Sequence, residues 1–327
     1  MLLFRAFFDI LGANNRGMGA QMKRLLTMII IACMLIGLTG CQAKAEKTLF
    51  AMDTVMQLQL WGGDSDKACQ ALEGLFREME NTWSAVSEDS VLQALNRGEN
   101  VLDPEQTAFL QKVEALSERT GGAFDPCLGG KVALWGFYDD NYRIPTAQEL
   151  ESAPKKWDLG AVVKGYTGDL AVQHLQATGI KYGILNLGGN VQTFGEKPDG
   201  KPWQVGISAP DGGDYLGVLS VTGTMSVVTS GDYQRYFEKE GVRYHHILDP
   251  ESGCPADSGL SSVTVICRDG ATADALSTAL FVMGLEKAAD FWTQSDDFEA
   301  VFLLKTGEIY ATEGAALSGC EYEVIRR

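Results

Sequence analysis

The chain has 327 residues, 45% of them hydrophobic and 21% charged, which is ample material for a large buried core. Its formal net charge is −16. With no basic excess to displace phosphate counterions, no nucleic-acid partner is expected, and the acids are too evenly spread to form an acidic tail.

The first stretch with a clear layout is MKRLLTMIIIACMLIGLTGC, Met22 to Cys41. Lys23 and Arg24 form a basic start, Leu25 to Gly37 an apolar run, and Leu38 to Gly40 lead into a cysteine. The run falls short of the roughly 20 residues a transmembrane helix needs. It resembles a bacterial lipoprotein signal. Cys41 would then be lipidated, anchoring the protein to the cell membrane on the extracytoplasmic side. The expected organisation is a signal over residues 1–40, a tether over 41–47 and one domain over 48–327. Residues 1–21 would be an extension ahead of a true start at Met22. Loss of 1–40 removes four basic residues (Arg5, Arg16, Lys23, Arg24) and one acid (Asp9), leaving the domain still more acidic. Cys69, Cys127, Cys254, Cys267 and Cys320 are scattered without a C-x-x-C pair. They read as mostly buried small hydrophobes, not as a zinc site or a disulfide framework.

In chain order, MQLQLWG alternates as a strand does, and DKACQALEGLFREMENTWS carries apolar residues at helical spacing. DPEQTAFLQKVEALSERTGG predicts a helix with Asp103 as N-cap and Pro104 at the first helical position. VKGYTGDLAVQHLQATGI predicts a third, closed by Gly179. YGILNLGGNVQTFG, WQVGIS, YLGVLSVTGTMSVVTSG and SSVTVICRDG read as strands with glycine turns. A helix from about Thr272 to Gly284 follows, then KAADFWTQS, then a hairpin turning at Thr306-Gly307. Strands and helices mix without βαβ alternation, so the fold class is α+β.

Five stretches could carry chemistry, and each also has a purely structural reading. In DALSTALFVMG, Asp274, Ser277 and Thr278 stand at i, i+3 and i+4 on one helix face. Thr272 as N-cap, Asp274 in the first turn and back-bonded hydroxyls would explain them. So would a hard cation such as Mg²⁺, which takes oxygen ligands and keeps water and phosphate oxygens besides. LNLGGN is glycine-rich after a strand and reads as a tight turn; it is neither a G-x-G-x-x-G fingerprint nor a P-loop, so a Rossmann site is not expected. In DLGAVVKGY, Asp158 and Lys164 flank a glycine-led helix entry. That suits an N-cap with a solvated lysine, or a phosphate site. GGAFDPCLGG is too rich in Gly and Pro for regular structure. Phe124 and Asp125 there suit an aromatic ligand with a polar edge, or a loop with one anchor. In YHHILDPESGCP, neighbouring histidines in a strand face opposite ways, so one at most could serve as a general base and a two-His metal site is disfavoured.

Taken together and in order, AMDTVMQLQLWG, GGAFDPCLGGKVALWGF, WDLGAVVKGYTGDLA, YGILNLGGNVQTFG, the HHILDP run and DALSTALFVMG resemble the FAD:protein FMN transferase (ApbE) family, from about residue 48 to the C-terminus. The resemblance implies an ApbE-like flavin transferase fold, not a Rossmann fold. It implies Mg²⁺-dependent transfer of FMN from FAD, as substrate, to a threonine hydroxyl of a target flavoprotein of the membrane redox type, with release of AMP. By resemblance, Asp274, Thr278 and a backbone oxygen of Ala161 would hold Mg²⁺, with the role of Ser277 unassigned. Met52, Ala123, Phe124, Asp125, Asp158, Lys164 and Leu248 would contact FAD. His246, the second histidine of its run, is the candidate catalytic base. Two positions depart from the family pattern: Val86 stands where an aromatic residue is usual, leaving Trp83 or Phe124 to stack on the flavin, and Cys127 replaces a small hydroxyl residue. The alternatives are an FAD pyrophosphatase yielding FMN and AMP, and a lipoprotein that stores or delivers FAD without chemistry.

Overall fold

In the computed structural model, which describes residues 44–327, most of the strand-like segments meet in a nine-stranded sheet. The described chain begins with β1 (Lys44–Ala51) and β2 (Thr54–Trp61). Six helices follow: α1 (Ser65–Trp83), α2 (Val91–Asn96), α3 (Pro104–Arg119), α4 (Gly129–Trp135), α5 (Ala147–Glu151) and α6 (Val163–Ala177). Then come β3 (Tyr182–Leu187), β4 (Asn190–Phe194), β5 (Trp203–Ser208), β6 (Tyr215–Val221), β7 (Met225–Gly231), β8 (Tyr236–Lys239), β9 (Val242–His245) and β10 (Leu260–Cys267). The long α7 (Gly270–Thr293) precedes β11 (Phe298–Leu304), β12 (Ile309–Thr312), β13 (Leu317–Ser318) and β14 (Glu323–Ile325).

The large sheet runs β1-β2-β3-β4-β7-β10-β11-β12-β14. Its neighbours pair antiparallel except β12 with β14. This is an α+β arrangement, with none of the parallel alternation of a dinucleotide-binding fold. Helices α1, α6 and α7 cover one face, and a small sheet β13-β6-β5 covers the other. Strand β10 is buried throughout because both faces are covered. Val263, Val265 and Cys267 meet Leu276 and Leu280 of α7, while Ile266 meets Trp203 and Leu219 opposite.

Several expectations change. The tether fails at Lys44–Lys47, which pair with Leu58–Trp61 as the start of β1. Their alternation is disguised because an inward position is Lys47, held by Glu73 of α1 through a 2.5 Å ion pair. The N-cap of α7 is Asp269, not Thr272: the Asp269 side chain accepts from the Thr272 N–H. The helix also runs on through KAADFWT, kinked at Gly284, whose φ is 76°. Asp158 is not the N-cap of α6; Val162 is, and Asp158 turns back to accept from the Gly160 N–H at 2.8 Å. The GGAFDPCLGG stretch is irregular only as far as Leu128. Gly129 and Gly130 begin α4, where a side chain on Gly130 would come within 2.0 Å of the Pro154 carbonyl oxygen. All five cysteines are free, but only Cys69 and Cys267 are buried; Cys127 and Cys320 are half-buried and Cys254 is exposed. Among the described residues no helix is long and apolar enough to cross a membrane. The signal and Cys41 lie outside them.

Candidate functional site

The site begins where α6 crosses the start of α7. A Cβ on Gly165 would lie 2.0 Å from the Gly270 carbonyl oxygen, and one on Gly270 would lie 2.4 Å from that of Gly165. Only paired glycines allow the two backbones so close. The approach brings the Gly165 N–H to the Asp274 carboxylate, at 2.9 Å. It also lets the Asp169 carboxylate of α6 accept from the Gly270 and Ala271 N–H groups, at 2.8 and 3.0 Å. These are open donors at a helix N-terminus. Burial, then the charge of Asp269, push the Asp169 carboxyl up to about 6.

Asp274 is buried, and burial raises its carboxyl above the ordinary 3.8, against the opposing pull of the Lys164 charge and the Gly165 amide. Beside it, Thr278 and Ser277 share hydrogen bonds with Ser230 of β7. Ser230 Oγ is 2.7 Å from Ser277 Oγ and 3.2 Å from Thr278 Oγ1, and Ser277 donates to the Asp274 carbonyl at 2.8 Å. Ser277 is fully buried and lies outside the cleft, whereas Asp274 and Thr278 line it.

The two histidines part as strand geometry requires. His245, the last residue of β9, turns inward, with Nε2 3.1 Å from the Ala256 carbonyl oxygen and its ring edge-on to Phe281. His246 lines the cleft, with Nδ1 3.0 Å from the Arg235 carbonyl oxygen. A carbonyl only accepts, so Nδ1 carries the proton and Nε2 is left as the basic nitrogen. Burial above all holds this imidazole down at about 4, so it is neutral near pH 7.

The other walls come from turns. Met52 and Asp53, at φ 51° and 59°, make the two-residue turn between β1 and β2. Both sit in the left-handed region that such a turn demands and non-glycine residues resist. The Met52 N–H donates to Glu80 of α1 at 2.9 Å, which holds the turn in place. The LNLGGN stretch is the matching turn between β3 and β4, with Gly188 and Gly189 at φ 73° and 90°. A side chain on Gly188 would strike Thr54. So the tight-turn reading holds, and both glycines line the cleft as well. Asp158 accepts from the Tyr138 hydroxyl, and burial together with that carboxylate pushes the phenol up.

These elements enclose a cleft of about 870 Å³, within the range of small-molecule sites. Every catalytic, FAD-contacting and metal-holding residue expected from the sequence lines it: Met52, Ala123, Phe124, Asp125, Asp158, Ala161, Lys164, His246, Leu248, Asp274 and Thr278. Val86 stands at the mouth, 63% exposed, while Trp83 and Phe124 are buried in the wall. Sequence reading missed Tyr138, Arg235 and Ser230, and it missed Asn190 although that residue closes the LNLGGN stretch. Asn190 is 1% exposed; its carboxamide makes no well-formed hydrogen bond but approaches the Asp274 carboxylate and helps to hold that carboxyl down.

Among the described residues no three His, Cys, Asp or Glu side chains converge to hold a metal. Of the oxygens that line the cleft, the set expected from the sequence is one carboxylate (Asp274), one hydroxyl (Thr278) and the backbone of Ala161. That donor set fits a hard cation with few protein ligands and does not fit zinc. With Lys164 nearby and α6 opening beside it, the same corner suits phosphate oxygens.

The pattern of the ApbE family matches residues 52–302. A protein of Treponema pallidum named FAD:protein FMN transferase is 30% identical, over 87% of this chain and 92% of its own length. One of that name from Klebsiella pneumoniae is 32% identical, over 79% of this chain and 88% of its own. Among solved structures, the apbe protein of Thermotoga maritima superposes with a TM-score of 0.77 at 33% identity, covering 83% of this chain and 97% of the other. The flavin transferase ApbE of Vibrio cholerae gives 0.73 at 26% identity, over 83% and 98%.

Proposed function

We proceed from the fact that the chain belongs to the ApbE family, and we propose that it is a Mg²⁺-dependent FAD:protein FMN transferase. The acceptor in this reading is a threonine hydroxyl of a target flavoprotein, of the membrane redox type. The observation that carries the reading is the meeting of Asp274, Thr278 and Ala161 with Lys164 and His246 in one cleft.

Asp274, Thr278 and the Ala161 backbone would hold Mg²⁺. When bound, it would neutralise charge on the FAD pyrophosphate and favour in-line displacement there. Lys164 adds a second positive charge for the phosphates. Phe124, Met52 and Leu248 offer apolar surface to the isoalloxazine or adenine rings, and Asp125 and Asp158 offer polar edges. His246 Nε2 takes the proton of the threonine hydroxyl as its oxygen bonds to the FMN phosphorus. The anhydride bond breaks and AMP leaves with the electron pair. The products are a phosphothreonyl-FMN ester and AMP, with no covalent enzyme intermediate.

The test is incubation with FAD, Mg²⁺ and a threonine-containing flavoprotein peptide, followed by mass spectrometry. A mass gain equal to an FMN phosphoester supports transfer. FMN and AMP beside unmodified peptide would make the protein a pyrophosphatase, and intact FAD would make it a carrier. We also propose that Cys41 carries a lipid that anchors the protein to the extracytoplasmic side of the cell membrane. Cys41→Ala should then move the protein from the membrane fraction to the soluble one with transfer intact. Retention in the membrane would identify the apolar segment itself as the anchor.

A further inference from the structure

Ser230, Ser277 and Thr278 each own one hydroxyl proton, and their hydrogen bonds fix where each proton goes. Ser277 spends its proton on the Asp274 carbonyl, at 2.8 Å. The 2.7 Å contact between Ser277 and Ser230 therefore needs the proton of Ser230. Ser230 then has none left for Thr278, 3.2 Å away, so Thr278 must donate to Ser230. The chain runs one way, from Thr278 through Ser230 and Ser277 to the Asp274 carbonyl. Ser277 is fully buried behind the cleft wall, so water does not compete for its two bonds.

We infer that Ser230 is a positioning residue that draws the Thr278 hydroxyl proton away from the cleft and so leaves the oxygen lone pairs of Thr278 free for a cation. A hydroxyl is a ligand through its lone pairs, and a proton turned toward the cation repels it. The arrangement also gives Ser277 a task it performs without reaching the cleft, as the acceptor that fixes the direction of Ser230. The inference rests on the reading of Thr278 as a Mg²⁺ ligand.

The test measures Mn²⁺ affinity of the full chain, purified in detergent with FAD present, from the paramagnetic resonance signal of free Mn²⁺. Loss of a group that orients a metal ligand typically costs 10–100-fold in affinity. Ser230→Ala should weaken Mn²⁺ binding by about 10-fold, and Ser230→Thr, which keeps the hydroxyl, should restore most of it. Because Ser230 acts through Thr278, the double variant Ser230→Ala/Thr278→Ala should bind no more weakly than Thr278→Ala alone. Wild-type affinity in Ser230→Ala, or penalties that add in the double variant, would overturn the inference while leaving the metal site standing. Wild-type affinity in Thr278→Ala would overturn both. If Ser230→Ala does not fold, Ser277→Ala serves instead. Ser230 is then free to turn its own proton on Thr278, so Mn²⁺ binding should again weaken, and unchanged affinity would count against the inference.

Discussion

The Gly165 amide donates to the Asp274 carboxylate at 2.9 Å across 109 residues of chain. One hydrogen bond thus ties the helix that carries Lys164 to the helix that carries Thr278. It depends on a backbone approach that any side chain at 165 would block.

Gly165→Ala should therefore damage stability and function together. Its methyl would need the space of the Gly270 carbonyl, and backbone yields less readily than a side chain. A loss of about 1–3 kcal/mol in urea unfolding is expected, as for overpacking elsewhere. The Mg²⁺ concentration for half-maximal turnover should rise as well. An unfolding midpoint and Mg²⁺ requirement equal to the wild type would mean that α6 and α7 can separate without cost to the site.

Asp274→Asn should separate function from stability. The folded carboxyl titrates above 3.8, so its ionised form costs folding free energy at neutral pH, and that cost disappears as pH falls through the folded value. Asparagine removes the charge and can still accept from the Gly165 N–H. The variant should melt at or above the wild-type temperature, lose turnover by on the order of 10²-fold or more, and gain no thermal shift from Mg²⁺ with FAD. Calorimetry with and without Mg²⁺ reads all of this, and a normal Mg²⁺ shift in the variant would remove Asp274 from the metal.

His246→Ala should lower transfer by about 10²–10⁴-fold with FAD affinity nearly unchanged. The rising limb of the wild-type pH–rate profile should fall near pH 4, where the imidazole titrates, and not near the ordinary 6.5. Because the folded value is depressed, His246 supports stability above pH 6.5, and that support is lost as pH falls toward 4. His246→Gln should accordingly narrow the gap between urea midpoints at about pH 7 and about pH 5. His245→Ala should instead weaken the fold, since its ring packs on Phe281. Equal losses of transfer in both alanine variants would end the case for His246 as the base.

Asn190→Leu should stabilise the ligand-free protein, by about 1 kcal/mol, because the buried carboxamide it removes makes no well-formed hydrogen bond and only a loose approach to the Asp274 carboxylate. The same change should weaken FAD–Mg²⁺ binding, measured by titration calorimetry, if those two polar atoms serve the ligand. A variant that is more stable and binds normally would show that Asn190 is merely tolerated.

The sequence made the site easier to read than its supports. Asp274 and Thr278 announce themselves because two polar residues on an apolar helix face break a pattern, and the paired histidines do so because strand geometry separates them. Ser230 carries no such mark: a serine at the end of a strand is ordinary until the topology sets β7 beside α7. Tyr138 likewise gains meaning only from Asp158, which comes near it in space. In the fold, β1 escaped notice because its inward row contains Lys47, whose burial makes sense only with Glu73 opposite. The start of α7 was placed at Thr272 because the carboxylate that receives its first amides, Asp169, lies about a hundred residues earlier. Local pattern names the elements; what distant partners satisfy cannot be read from it.

The cleft draws on a hairpin at Met52, a helix entry at Lys164, a turn at Gly188 and a helix at Thr278. No short piece of chain contains more than a fragment of it, and the β4–β7–β10 pairings that join the fragments close long loops, which makes for slow folding. Ligand binding is therefore a proofreading step for the whole polypeptide. A chain with a single crossing misassembled has nothing to hold a ligand with. A completed chain bathed in ligand at about 100 times its Kd is more stable by about 2.7 kcal/mol. Resistance to proteolysis in flavin-rich and flavin-starved medium should then differ for the entire domain at once, from β1 to β14, and not only for the loops around the cleft.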